Sequence, residues 1–134
     1  MGFGGYVDVD GVEMLVVAVH PKAPVKPSWV KQWREDLERI REFVVSRRCP
    51  FVVVAGDFNA DQAHGPFRRL LRDACLQGTH NVGNTWPANT TIPPFYGIDH
   101  VLTGGPIEAV STSKTPAHGS DHYGVLCMLR LHLD

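Results

Sequence analysis

The stretch Phe51-Val52-Val53-Val54-Ala55-Gly56-Asp57-Phe58-Asn59 decides the fold. Its first five positions are uniformly apolar and mostly β-branched, the pattern of a strand buried on both faces of a covered sheet. Its last four change character at once: a glycine, a carboxylate, a ring and an amide follow. Strand ends in such sheets aim side chains at a shared edge. Asp57 and Asn59, two apart in an extended chain, point the same way and would enter one pocket.

Upstream, Val12 to Val19 (VEMLVVAV) is a second strand of the same kind, apolar on nearly every position and expected to be central and covered on both sides. Tyr6 to Val9 alternates apolar and acidic, and Asp10-Gly11 is a strong two-residue turn, so the chain opens with an antiparallel hairpin. The proline-rich run after His20 ends the strand. Ser28 is placed to cap a helix from Trp29 to about Arg48, with Val30, Trp33, Leu37, Ile40 and Val44 at helical spacing and Glu35 and Arg39 paired on the outer face. Cys49-Pro50 breaks it, giving a strand, helix, strand order.

Downstream, Pro66 to Ala74 reads as a shorter helix with Phe67, Leu70, Leu71 and Ala74 inward and Arg68, Arg69 and Arg72 on a solvated face. A loop-rich region follows. Ile98 to Leu102, Ile107 to Ser111 and Val125 to Leu131 then read as short strands. No internal repeat or low-complexity segment interrupts this order.

The chain has 134 residues, enough for one domain, with 43% hydrophobic and 20% charged residues, which excludes disordered, collagen-like and disulfide-scaffold classes. Thirteen Lys plus Arg against 14 Asp plus Glu give a net charge of -1, so the global positive field of a non-specific nucleic-acid binder is absent. Neither a signal-peptide pattern nor an apolar run approaching a membrane span is present, and the chain as written reads as soluble. Cys49, Cys75 and Cys127 are odd in number and outside any CxxC pattern, which argues for buried thiols over a zinc or redox site.

Three clusters follow or precede apolar strands: Gly56-Asp57-Phe58-Asn59, Ile98-Asp99-His100 and Gly119-Ser120-Asp121-His122. Each alone is weak, since a lone Asp after a strand is most often a turn or cap residue. Together, GDFN, IDHVL (98–102) and GSDH, with His20-Pro21 closing an upstream strand, resemble the endonuclease/exonuclease/phosphatase superfamily of metal-dependent phosphoesterases. The flanking phrases TWP (85–87) and PPFYGIDHVL (93–102) are most similar to a bacterial branch of it.

The resemblance implies a DNase I-like four-layer α/β/β/α sandwich, of which residues 1–134 would be the C-terminal half: a single partial domain, mostly one mixed or antiparallel sheet covered by helices. It implies Asp121 as a metal-ligand carboxylate, His122 at the scissile phosphate and Asp99 orienting His122. Asp57 would position or activate the attacking water, Asn59 would steady it and donate to the phosphoryl oxygen, and His20 would be a second phosphate-facing histidine. The implied ion is magnesium or manganese, which suits a carboxylate, amide and water site with no cysteine.

One departure from the family is large. The superfamily carries an Asn after its opening strand and a Glu, usually preceded by Gln, as principal metal ligand. Neither motif is here; Asp8, Asp10 and Glu13 are expected to face solvent. The leading reading is therefore a truncated hydrolase acting on a phosphate ester of nucleic acid, phospholipid or a phosphorylated small molecule. The isolated chain should bind magnesium weakly, turn over little and self-associate through an uncovered sheet face. The alternative is a non-catalytic remnant serving as an interaction or structural module. A Ser120–His122 hydrolase fails because side chains two apart cannot readily form the required hydrogen bond.

Other residues receive plainer readings. His64 flanks or caps the short helix, His100 is structural, Trp86 packs, and His80, His118 and His132 rest on residue type alone. Relatives in the bacterial branch often carry membrane segments and face outward, which leaves localisation open.

Overall fold

The computed structural model describes residues 2–133. Strand β1 (Gly2–Val9) turns at Asp10-Gly11 into β2 (Val12–Val19), with Val9 opposite Val12. Both turn residues have positive φ, 51° and 83°, the backbone of a two-residue turn whose twist matches the strands it joins. Helix α1 (Pro27–Arg47) then carries the chain back, so that β3 (Val52–Asp57) lies parallel to β2 with Val19 opposite Gly56.

After helix α2 (Gly65–Asp73) and the short β4 (Leu76–Gly78), β5 (Asp99–Gly104) inserts antiparallel between β3 and β4, giving a sheet order β1-β2-β3-β5-β4. Strands β6 (Ile107–Thr115) and β7 (Gly124–Leu131) form a separate antiparallel pair that packs against β5. No helix among the described residues is long and apolar enough to cross a membrane.

Helix α1 forms because Trp33, Leu37, Ile40 and Val44 recur every three or four residues, and that stripe buries on Leu15, Val17, Val19, Val52 and Val54. Its start differs from expectation. Pro27 opens the helix and Lys26 caps it without a side-chain bond, so Ser28 lies in the first turn and is not the cap. A proline at the first position presets the helical φ and gives up an N–H that would be unpaired anyway. Arg48, in the left-handed region, ends the helix.

Two polar contacts of α1, one buried and one half-buried, reach the loops beyond β2 and β3. The Asp36 carboxylate accepts from the Lys22 backbone N–H at 2.9 Å, and the Trp33 indole N–H donates to the Phe58 carbonyl at 3.1 Å.

Several expectations need correction. Residues Val52 to Val54 are buried throughout, but β2 is buried only on the face under α1, through Leu15, Val17 and Val19. Its other face is half-exposed at Met14, Val16 and Ala18. Strand β4 carried no periodic signal in three residues. Helix α2 runs Gly65–Asp73, leaving Ala74 as its cap. The β6–β7 pair is longer than expected, with a bulge between Ala109 and Ser111. The cysteines are not buried: Cys49 and Cys127 are half-buried and Cys75 is exposed, because Cys75 sits at a positive-φ turn, φ 52°, just past α2.

Leu37 is 2% exposed at the centre of the α1 face, so Leu37→Ala should lower stability by about 2–5 kcal/mol in urea unfolding. Leu126, 63% exposed on β7, should tolerate alanine within about 0.5 kcal/mol. Equal losses at the two positions would contradict this assignment of the core.

Candidate active site

The site begins where β2 and β3 end together. Gly56 has φ 148°, and a Cβ there would stand 2.0 Å from the Val19 carbonyl oxygen, so only glycine lets the two strand ends approach. The chain then leaves the extended conformation: Phe58 is fully buried and Asn59 has φ 48°. Strand alternation is therefore not what relates Asp57 and Asn59. The Asn59 backbone N–H donates to Asp57 Oδ1 at 2.8 Å, a local turn of the kind short polar side chains stabilise. Its side-chain amide donates to the Pro21 carbonyl at 3.0 Å, tying GDFN to the His20-Pro21 loop.

Asp99 begins β5 opposite Asp57. Its Oδ2 accepts from the Thr85 hydroxyl at 2.6 Å and from His122 Nδ1 at 2.8 Å. Because a carboxylate only accepts, the proton of His122 sits on Nδ1, and Nε2 is turned toward Asp57 Oδ2, 3.7 Å away. His20 Nε2 lies 3.5 Å from the same oxygen.

Asp121 is farther out, with Oδ1 4.0 Å from His122 Nε2 and its side chain 74% exposed. Its Oδ2 accepts from the Trp86 indole N–H at 3.2 Å. Ser120 is engaged with the backbone, its hydroxyl accepting from the His122 N–H at 3.0 Å.

His20, Asp57, Asn59, Asp99, Asp121 and His122 all line one cavity of about 790 Å³, together with Ala23, Pro24, Val25, His64, Trp86, Tyr96 and Ile98. No lysine or arginine lines it. Burial pushes the Asp57 carboxyl above the ordinary carboxylate value, against the Asn59 hydrogen bond, and the nearby Asp99 charge adds to the rise. For His122, partial burial works against the charged ring, but the hydrogen bond and charge of Asp99, with Asp57 and Asp121, outweigh it and raise the pKa. His100 moves the other way, lowered by burial. Its Nε2 bonds the Ala60 carbonyl at 2.7 Å, and its ring packs on Phe67, so it is structural.

Ligand atoms of Asp57, Asp99 and His122 all lie within 4.8 Å of one another, and this oxygen-rich, cysteine-free set suits a hard divalent cation better than zinc. Asp99 Oδ2 already accepts two hydrogen bonds. The carboxylates of Asp57 and the more exposed Asp121 are the further oxygens facing the same cavity. The donor set thus fits a hard divalent cation.

Thr85, fully buried, is the residue that sequence reading missed. Beyond its bond to Asp99, its backbone pairs with Tyr96 and accepts from the Tyr123 N–H, while Ala88 N–H donates to the Asp121 carbonyl. The segment 85–89 therefore zips the GSDH motif to β5. TWP was visible as a flanking phrase, but nothing local marks a threonine whose partner is 14 residues away. Trp86 packs, as expected, yet it also lines the cavity. His64 is the N-cap residue of α2, although its ring makes no capping bond.

Residues 2–122 match the Endonuclease/Exonuclease/phosphatase family, and the chain belongs to it. Among solved structures it is similar to an endonuclease/exonuclease/phosphatase from Beutenbergia cavernae, at 24% identity and TM-score 0.77, covering 97% of this chain and 39% of that one. It is also similar to beta toxin from Staphylococcus aureus with bound magnesium ions, at 19% identity and TM-score 0.62, covering 90% and 54%. A third is a mannosyl-6-phosphatase from Bacteroides thetaiotaomicron, at 19% identity and TM-score 0.59, covering 91% and 53%. At these identities the likeness is one of fold, the DNase I-like α/β fold. The chain spans between 39% and 54% of the length of these three. No curated protein matches it.

The opposed shifts of the two histidines are testable by NMR titration of the metal-free chain. His122 should titrate above the ordinary histidine value and His100 below it. The folded state holds the His122 proton to higher pH than the unfolded chain does. That contribution to stability is complete below the unfolded pKa and is lost as pH rises through the folded one. Asp99→Asn should lower the His122 value and flatten this dependence, and an unmoved His122 would detach the two residues.

Proposed function

We propose that the cavity hydrolyses a phosphate ester with the help of a divalent cation, magnesium or manganese. The observation that carries this is the run Thr85–Asp99–His122, in which two hydrogen bonds at 2.6 and 2.8 Å fix an imidazole with Nε2 facing the Asp57 carboxylate. An oriented imidazole beside a carboxylate of raised pKa is a pairing suited to moving a proton between water and an ester oxygen.

Asp57 would hold the attacking water, with Asn59 keeping that carboxylate in place. His122, charged or neutral according to the step, would contact the phosphoryl oxygens or the leaving oxygen, and Asp99 would keep its ring oriented. His20 would be a second contact to the phosphate. Asp121 and Asp57 would offer oxygens to the metal, which when bound would polarise a phosphoryl oxygen and neutralise charge gathered during in-line attack. A mannosyl-6-phosphatase and a magnesium-bound toxin among the similar folds are consistent with this chemistry.

Asp8, Asp10 and Glu13 are exposed on the β1–β2 hairpin, and no glutamate lines the cavity. That observation favours the second reading, a non-catalytic module with the family fold. A panel of phosphomonoesters and phosphodiesters assayed with magnesium and with manganese separates the two. Turnover abolished by a chelator and reduced on the order of 10²-fold or more by Asp99→Asn supports hydrolysis. Inactivity with both metals across the panel, together with no heat of magnesium or manganese binding in a calorimetric titration of the chain, leaves the module.

A further inference from the structure

The cavity of about 790 Å³ is far larger than one phosphate and a hydrated ion require, and it lies in the range of pockets that hold small organic ligands. Its polar residues gather at the strand ends. Apart from His64 at the start of α2, what remains of its lining is mostly apolar: Ala23, Pro24 and Val25 from the loop after β2, and Trp86, Tyr96 and Ile98 from the connection before β5.

The aromatic part is rigidly built. Trp86 and Tyr96 rings stack with centroids 6.1 Å apart and planes 21° from parallel. Their backbones exchange hydrogen bonds in both directions at 3.0 Å. Phe95 packs edge-on to both rings. The Trp86 indole N–H is held by Asp121, whose other oxygen lies 4.0 Å from His122 Nε2, so the stack adjoins the polar end of the cavity directly. Tyr96 nevertheless stays 47% exposed and Val25 72% exposed. An aromatic side chain packed in this way and still open to water at a pocket wall is poised for a ligand.

Charge narrows the ligand. Residues 81–98 contain no charged side chain, and no lysine or arginine lines the cavity. A nucleic-acid strand or an anionic membrane surface would be gripped through such cations. We propose that Trp86 and Tyr96, with the Ala23–Val25 loop, form a subsite for the planar aromatic group of a small phosphate ester whose phosphate lies against His122 and Asp57. This deepens the phosphoesterase reading and rests on it.

Non-hydrolysable probes test it on the full chain with magnesium present. In calorimetric titrations, phenylphosphonate should bind about 3- to 10-fold more tightly than butylphosphonate, as a ring-on-ring contact predicts. Tyr96→Ala, and separately Trp86→Leu, should shrink that ratio toward one, and the Trp86 indole N–H resonance should shift with phenylphosphonate and less with inorganic phosphate. The ratio reads the subsite independently of turnover.

If inorganic phosphate binds and shifts His122 while phenylphosphonate shows no preference, or a preference that survives both substitutions, the aromatic subsite is overturned and the phosphate site stands. Co-sedimentation with phosphatidylcholine vesicles, lost in Tyr96→Ala and accompanied by no phenyl preference, would overturn it in favour of a lipid surface. If neither inorganic phosphate nor any phosphonate binds, the phosphoesterase reading falls and the subsite with it.

Discussion

The site depends on the parallel pairing of β2 with β3, which brings two strand ends to one edge at Val19 and Gly56. A hairpin could not do this; parallel neighbours need a crossover, and α1 supplies it. The same helix holds both chain exits, through Trp33 to the Phe58 carbonyl and Asp36 to the Lys22 N–H. Buried donors and acceptors left without partners cost roughly 1–3 kcal/mol each, so these bonds fix the loops that deliver His20 and Asp57. The helix is thus both the cover of the core and the frame of the cavity.

Electrostatics then set what the cavity can hold. Asp57, Asp99 and Asp121 line it with His20, His64 and His122 and without lysine or arginine. An anionic ester in such a space faces three carboxylates. Under the hydrolytic reading, the compensating positive charge comes from the imidazoles and from a bound divalent ion. The raised values of Asp57 and His122 report the same imbalance from two sides: a half-buried acid in need of a counter-charge, and a base surrounded by acids. A net charge of -1 for the whole chain gives no longer-range attraction to offset this.

Much of this was legible in the sequence because chemistry changed abruptly at strand ends. FVVVA followed by GDFN marks Asp57, and the order of GDFN, IDH and GSDH marks Asp99 and His122. Other features had no local signature. Apolar composition on both faces of β2 could not say which face finds a cover, since only α1 packs there closely. Ser28 looked like a cap, but proline geometry one residue earlier decided the helix start. Spacing alone puts Asn59 in strand alternation with Asp57, whereas a left-handed backbone and a bond to Pro21 place it. Thr85 was indistinguishable from any loop threonine until Asp99 stood beside it.

The zipper between residues 85–89 and 120–123 divides the loop before β5 into two parts with different freedoms. Its base, Thr85 to Ala88 with Phe95 and Tyr96, shares backbone hydrogen bonds with the residues that carry Asp121 and His122. Its tip, residues 89–94, is largely exposed and makes few such bonds. Loop grafting that exchanges only the tip would leave the backbone bonds of the base, and the His122 ring held by Asp99, in register. Exchange of the whole loop would also dismantle the acceptor network behind His122. The boundary between the part of the loop that can be exchanged and the part that holds the site together thus falls within a single connection.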